Sequence, residues 1–283
     1  MNRLARNSLK LSFEFFPPRT EAADEKLRGT IERLRLLRPD FFSVTYGAGG
    51  STRDKTFETV MEIREMTGID AAPHVSCVGS APADLTEVIH NYKKHGFDHL
   101  VALRGDLPSG IAGGGTLRHA NELVELIRRE TGEHFHIEVA CYPEFHPQAH
   151  SAEQDLENFR RKVEAGADSA ITQYFYNADA YFRFLESCSS LGIGIPIVPG
   201  VMPITNRDQL VRFSEMCGAE IPRWILKRLY DFGDDLESIR GFGIDITIRL
   251  CTQLLDAGAP GLHIYTMNKA EASEAIWAAL DLS

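Results

Sequence analysis

The chain has 283 residues, 43% of them hydrophobic, which suits an αβ barrel and is enough to bury a large core. A formal net charge of −10, without any Lys/Arg-rich run, argues against nucleic acid or an anionic membrane as partner. No apolar run approaches the roughly 20 residues of a membrane span, and the segment Met1–Asn7 lacks the apolar centre of a signal peptide. Five scattered cysteines (Cys77, Cys141, Cys188, Cys217 and Cys251) never form C-x-x-C; they read as buried thiols of a reducing, cytoplasmic compartment.

In chain order, strand and helix signals alternate. Leu9, Leu11, Phe13 and Phe15 alternate with Lys10, Ser12 and Glu14, the period of a strand, and Pro17 and Pro18 end it. Glu14 thus leaves the apolar face just before the strand stops, where a buried carboxylate is costly without a partner or a task. A helix through Leu27, Ile31 and Leu34 closes at Pro39, and Phe41–Gly47 reads as the second strand. A Gly-rich turn and a helix near 52–67 lead to a third strand, Asp70–Cys77. A helix through Leu85, Ile89 and Tyr92 precedes strand four, His99–Gly105. After the loop Ser109–Gly115 come a helix through Leu123 and Ile127, strand five at His136–Tyr142, and a helix from Ser151 to Ala165. Ser169–Tyr176 is strand six, a helix covers 178–190, and Pro196–Met202 is strand seven. A helical stretch over 206–257, interrupted near Ala219–Pro222 and Phe232–Asp234, precedes strand eight at Gly261–Met267 and a last helix.

Eight strands alternating with helices, with no linker, predict one α/β domain over 1–283, a single (β/α)8 TIM barrel; a doubly wound sheet is the alternative. In a barrel all strand C-terminal ends share one mouth, where chemistry sits. Glu14, Thr45, His74, Arg104, Asp106, Tyr142, Gln173 and Lys269 all fall at or just past such ends.

Single motifs are weaker. Gly47–Ser51 matches neither G-x-G-x-x-G nor a Walker A loop and reads equally as a plain turn or a ligand loop. Ser109–Gly115 reads as a flexible loop, and the adhesion-like tripeptide Arg104-Gly105-Asp106 as chance. None of the ten histidines forms H-E-x-x-H; His74, His146 and His263 come from separate elements without an obvious carboxylate set, so no metal is expected. No G-x-S-x-G is present. The fifth helix is more specific. Ser151 and Gln154 have capping-box spacing, and Leu156, Phe159 and Val163 form a buried stripe. Asp155, Asn158 and Lys162, with Arg161 beside them, form a second stripe. Asp and Asn suit sugar hydroxyls, while Arg and Lys suit a pyrophosphate, so the set reads either as a solvated face or as a dinucleotide grip.

Several segments in order strengthen the second reading: Phe13–Arg19, Ser43–Ala48, Ala72–His74, Ala102–Pro108, Tyr142–Pro147, Arg161–Ala167, Ile171–Gln173, Pro199-Gly200 and Tyr265-Thr266 with Asn268. In these the chain resembles the bacterial methylenetetrahydrofolate reductase family over nearly its whole length. The resemblance implies FAD, NADH or NADPH as electron donor, a folate substrate, and a homo-oligomer. It implies no regulatory domain of the kind that eukaryotic relatives carry. Glu14 matches the general acid and Asp106 the carboxylate beside flavin and pterin. Gln173 matches a pterin contact, Phe213 the aromatic that stacks on folate or nicotinamide, and Gln209 and Lys269 further substrate contacts. For FAD the matching positions are Thr45, Tyr46, Ala48, His74, Arg104, Gly105, Asp106, Ala140, Tyr142, His146, Ala149, Asp155, Asn158, Arg161 and Lys162. Two positions depart from the pattern: Lys269 replaces an Arg, losing its bidentate fork, and His119 stands where the family has Tyr, beside Ala120.

The family chemistry implied is ping-pong. Hydride passes from the nicotinamide to the flavin, then to methylenetetrahydrofolate, whose five-membered ring must first open to an iminium. Ring opening needs a proton on the leaving amine. An ordinary glutamate is almost wholly ionised near neutral pH, so an acid of this type calls for burial or neighbouring negative charge. Two rivals remain. A lyase or aldolase barrel would use Lys269 as its Schiff base, and a non-catalytic flavin- or folate-binding barrel would have no use for Glu14.

Overall fold

The structure, a computed structural model, describes residues 8–46, 50–105 and 116–282, excepting the side chains of 50–53. The strands are β1 (Lys10–Phe15), β2 (Phe41–Val44), β3 (Asp70–Ser76), β4 (His99–Leu103), β5 (His136–Cys141), β6 (Ser169–Thr172), β7 (Ile197–Val198), β8 (Gly200–Val201) and β9 (Gly261–Tyr265). The helices are α1 (Glu21–Leu34), α2 (Gly50–Thr67), α3 (Pro82–Lys94), α4 (Ala120–Thr131), α5 (Ala152–Glu164), α6 (Ala178–Ser190), α7 (Arg207–Cys217), α8 (Arg223–Asp231), α9 (Leu236–Asp256) and α10 (Glu271–Ala279). All pairings are parallel, in the order β7-β6-β5-β4-β3-β2-β1-β9-β8.

Strand seven is present but in two pieces. Pro199 offers no N–H to the ladder, so β7 pairs only with β6 and β8 only with β9. Because one residue separates the pieces, they join the two ends of the sheet and close the barrel. The Pro199 carbonyl accepts from His263 N (3.0 Å), and Gly200 N donates to Thr172 Oγ1 (2.9 Å). A Cβ at Gly200 would sit 2.1 Å from the Thr172 carbonyl oxygen, so only glycine allows this approach.

The alternation in β1 has its expected result. Leu11, Phe13 and Phe15 are fully buried on the outer face against the helices, with Phe13 packed on Trp277 of α10 at 4.9 Å between ring centroids. Each such ring contributes roughly 1.5–3 kcal/mol by leaving water. Ser12 and Glu14 face the barrel axis. A second core under α7–α9 gathers Tyr174, Tyr176, Ile204 and Leu229. It explains why β6 stops at Thr172 rather than at Tyr176. The hydroxyl of Tyr174 pairs with Ser214 (3.1 Å) and that of Tyr176 with the Met202 carbonyl (3.1 Å), drawing the chain out of the sheet. The predicted breaks at 219–222 and 232–234 separate α7, α8 and α9 as expected. Cys77, Cys141, Cys188 and Cys251 are buried; Cys217 is only partly so, a correction to the expectation for all five. No helix among the described residues is long and apolar enough to cross a membrane.

Candidate active site

The C-terminal ends of the strands surround a cavity of about 630 Å³. Glu14, Thr45, Tyr46, His74, Ala140, Tyr142, His146, Gln173 and Phe213 line it, with Tyr265. Glu14 is held from behind: Thr266 Oγ1 donates to its carbonyl (2.6 Å), and two imidazoles converge on its side-chain oxygen Oε2. His263 Nε2 lies 3.4 Å from Oε2 in hydrogen-bonding geometry. His74 Nε2 is 3.3 Å from the same oxygen, but its alignment gives no hydrogen bond. Burial holds the His74 imidazole below its usual range despite the nearby carboxylate. Burial likewise pushes the Tyr265 hydroxyl well up. The His263 ring is bonded on its other side to Ser12 Oγ through Nδ1, at 2.7 Å.

Beside this cavity runs a groove of about 480 Å³ that shares Leu103, Ala140, Tyr142, His146 and Gln148 with it. Arg104, Gly105, Ala149, Asp155, Asn158, Arg161 and Lys162 line the groove, so the polar stripe of α5 borders a cavity, with Arg161 at its exposed edge. Ser151 Oγ caps α5 by accepting from Gln154 N (3.2 Å). The reciprocal half of the capping box is absent, because Gln154 Nε2 donates to Asn158 Oδ1 (3.2 Å) instead. Asp155 Oδ2 accepts from His146 N (2.9 Å), tying the loop after β5 to the helix. Lys162 Nζ donates to the Ala140 carbonyl (2.5 Å); burial lowers its proton affinity, with Asp155 opposing, and no ion pair of Lys162 is found among the described residues. Arg104 Nη2 donates to Gln148 Oε1 (2.5 Å). Gly105 has φ +82°, and a Cβ there would meet Ser76 Oγ at 1.8 Å. His119, which departs from the family pattern, and its neighbour Ala120 line the same groove.

The substrate positions divide. Gln173 and Phe213 face the Glu14 cavity, whereas Gln209 and Lys269 line a separate pocket of about 460 Å³ with Arg212 and Arg240. A smaller pocket shares Tyr265, Thr266 and Met267 with the first and Lys269 and Arg240 with the second, linking them. Lys269 is exposed and does not line the cavity that holds Glu14, so a lyase would lack its Schiff-base lysine there. Ala48, Asp106 and the loops Gly47–Gly49 and Ser109–Gly115 lie outside the described residues.

A second polar cluster, at the opposite end of the barrel, was missed in the sequence. His99 Nδ1 is 3.6 Å from Asp70 Oδ2 and His99 Nε2 is 3.3 Å from Glu138 Oε1. His136 Nε2 is 3.9 Å from that same Glu138 oxygen and bonds Ser169 Oγ at 2.7 Å. Burial alone would push His99 down, but Asp70 and Glu138 outweigh it and raise its pKa to about 9. His99 in turn holds the buried Glu138 carboxyl low against its desolvation. Ligand atoms of His99, His136 and Glu138 lie within 4.8 Å of one another. A charged imidazole stands between the two carboxylates, so the arrangement forms an ion-pair set of one cation and two anions. The signal was legible: Asp70, His99 and His136 open three consecutive strands, and the parallel register sets His99 beside His136.

A profile described as "Methylenetetrahydrofolate reductase" matches residues 1–281. The chain is 42% identical over 268 residues to 5,10-methylenetetrahydrofolate reductase of Escherichia coli (strain K12), covering 95% of this chain and 89% of that protein. It is 40% identical over 274 residues to the protein of the same name from Buchnera aphidicola subsp. Acyrthosiphon pisum, covering 96% and 91%. Among solved structures, it resembles a Clostridium thermocellum protein that binds two copies of 5-methyl-5,6,7,8-tetrahydrofolic acid, with a TM-score of 0.69, 20% identity, and 97% and 95% of the chains covered. A dihydropteroate synthase from Xanthomonas albilineans in complex with 7,8-dihydropteroate gives a TM-score of 0.55 at 12% identity, covering 98% and 95%. These two likenesses bear on the fold alone. With the profile spanning nearly every residue and the identity above 40% to a full-length relative, the chain belongs to the methylenetetrahydrofolate reductase family.

Proposed function

We propose that this protein reduces 5,10-methylenetetrahydrofolate to 5-methyltetrahydrofolate, using FAD as cofactor and NADH or NADPH as electron donor. The observation that carries the reading is Glu14: a mostly buried carboxyl, 16% exposed, at the floor of a mouth cavity that adjoins the polar groove of α5. The groove fits an adenine dinucleotide by its donor set. Lys162 and Arg161 offer cationic groups for a pyrophosphate, Asp155 and Asn158 offer hydroxyl partners, and Gly105 lines the same groove. Thr45, Tyr46, His74, Arg104, Ala140, Tyr142, His146 and Ala149 extend the set toward the mouth, with Ala48 and Asp106 added by resemblance. Bound there, FAD would supply hydride transfer, in ping-pong order, from the nicotinamide donor to the one-carbon unit.

Glu14 acts as the general acid, giving its proton to the folate amine that leaves when the five-membered ring opens. Gln173 holds the pterin by its amide and Phe213 stacks on the bound ring. Gln209 and Lys269, one pocket further out, meet the anionic tail. The His74 imidazole, kept neutral by burial, adds no positive charge beside the acid. The reading includes a cytoplasmic location, in keeping with five free cysteines, and a homo-oligomeric assembly.

The test separates the two half-reactions. Glu14→Gln is expected to keep the flavin absorption and the oxidation of NADH with an artificial acceptor. Reduction of methylenetetrahydrofolate falls by about 10²–10⁴, the usual loss when an acid catalyst is removed. Wild-type folate turnover in that variant would end the assignment. Flavin bands that bleach with NADH but do not recover on adding the folate would leave a flavoprotein with another substrate.

A further inference from the structure

We propose that Ser12 and His263 are positioning residues for Glu14: Ser12 fixes the ring tautomer of His263, whose Nε2–H then ties down Oε2 and leaves the other carboxyl oxygen to carry the donated proton. The inference rests on the role of Glu14 proposed above and extends it to two residues that touch no part of the cavity.

The hydrogen-bond inventory of this corner selects one tautomer. Ser12 is 1% exposed and His263 is 0% exposed, so neither group can turn to water. Their bond, Ser12 Oγ to His263 Nδ1 at 2.7 Å, is the one hydrogen bond of the Ser12 hydroxyl among the described residues. A neutral imidazole carries its proton on one nitrogen. With the proton on Nδ1, the ring donates to Ser12 and the buried hydroxyl hydrogen has no acceptor. An orphaned donor of this kind is costly. With the proton on Nε2, Ser12 donates to Nδ1 and Nε2 donates to Glu14 Oε2 at 3.4 Å, so every group is paired. The second arrangement is the one the geometry assigns.

The register makes it rigid. Ser12 and Glu14 are on β1, and His263 and Tyr265 pair with them on β9, Ser12 opposite His263 and Glu14 opposite Tyr265. Acid, imidazole and hydroxyl therefore sit on two adjacent, bonded strands. An Oε2 that always accepts cannot hold the acidic hydrogen, which rides on Oε1. The carboxyl lines the cavity, so the proton is presented to the folate amine without a rotation of the side chain. The other titratable groups facing Glu14 are His74 on β3, Tyr265 on β9 and Tyr142 after β5. One tier deeper are Glu138 and His99.

The test has one arm without a variant. In the ¹⁵N spectrum of uniformly labelled protein, His263 should show a protonated Nε2 and an unprotonated Nδ1 near neutral pH; the opposite pattern overturns the proposal. The second arm uses His263→Phe, which removes the donor, and His263→Gln, whose amide can restore it. His263→Phe is expected to lower kcat for folate reduction about tenfold with little change in KM, and to move the alkaline limb of its pH profile upward, since a donor to the carboxylate has gone. His263→Gln should return the limb toward its wild-type position. Oxidation of NADH with an artificial acceptor reports that both variants are folded. If Glu14→Gln abolishes folate reduction while His263→Phe leaves the pH profile unmoved, this inference falls and the general acid stands. If Glu14→Gln is itself without effect, both fall.

Discussion

The cluster at the closed end of the barrel makes a quantitative prediction about stability. His99 has a pKa of about 9 in the folded protein, against about 6.5 for an unfolded chain. A raised folded pKa contributes stability that is fully present below the unfolded value and is lost as the pH climbs through the folded one. At 1.36 kcal/mol per pKa unit, the shift is worth about 3 kcal/mol near pH 6 to 6.5, most of it gone by pH 9. Against a typical stability of roughly 5–15 kcal/mol this is a large share. Urea unfolding midpoints, taken in half-unit steps from pH 6.5 to 8, should fall in the wild type. The window closes at pH 8 because the buried thiols of Cys77, Cys188 and Cys251, raised to about 11 or 12 in the fold, add their own loss once the unfolded thiols ionise at about 8.5. His99→Gln should be less stable at pH 6.5, since two carboxylates lose their cation, and its midpoint should fall less than that of the wild type across the window. Should that variant fail to fold, Glu138→Gln is expected to fold and to show a shallower slope than the wild type. A wild-type midpoint that does not change between pH 6.5 and 8 would refute the charged His99. So would the same fall in His99→Gln.

Three substitutions probe the mouth. Gly105→Ala should cost at least about 1–2 kcal/mol for a left-handed backbone, and more from the collision with Ser76 Oγ; thermal unfolding with and without FAD measures it, and a neutral outcome would mean that the loop relaxes freely. Asp155→Ala frees the His146 amide from a charged acceptor, an interaction worth roughly 1.5–3 kcal/mol; FAD should bind at least about tenfold more weakly, and unchanged flavin titration would remove Asp155 from the grip. Lys269→Arg restores a bidentate fork and should lower KM for the folate by a few-fold while kcat stays constant; an unchanged KM would mean that Lys269 meets no carboxylate.

Much of this was legible in the chain because two periods carry it. The alternation of Leu11, Phe13 and Phe15 with Ser12 and Glu14 both identifies β1 and aims the carboxylate inward. Spacing on α5 likewise separates Leu156, Phe159 and Val163 from the residues that line the groove. Other features depend on tertiary partners. The end of β6 is set by hydroxyl bonds from Tyr174 and Tyr176 to residues 26 to 40 positions away, which no local window contains. The break at Pro199 splits a strand that reads as continuous from its apolar pattern, yet the barrel still closes across it. None of the ten histidines belongs to a metal-binding sequence motif. His74 and His263 nevertheless meet Glu14, because parallel register, not sequence spacing, brings β1, β3 and β9 together at one level.

The two polar tiers inside the barrel carry opposite charge arithmetic, and the difference bears on the reaction. At the closed end one imidazole stands between two carboxylates, Asp70 and Glu138, and their combined field overcomes burial, so His99 is a cation. At the mouth the ratio is reversed: two imidazoles face the single carboxyl of Glu14, and for His74 burial prevails. A cation 3.3 Å from a carboxyl favours its ionised form, which is the wrong form for an acid that must hold a proton until the substrate arrives. An apolar surround favours the protonated form of a carboxyl in general, but it would leave the acid free to rotate. The His263 imidazole orients the group by hydrogen bonding through Nε2, and the neutral His74 beside it adds no charge. Moving a second carboxylate into the upper tier, for example by Ser43→Asp on the adjacent β2, would bring it toward the arithmetic of the lower one. Glu14 and Ser43 are paired in register, so the change would introduce the charge beside the acid without disturbing the groove of α5.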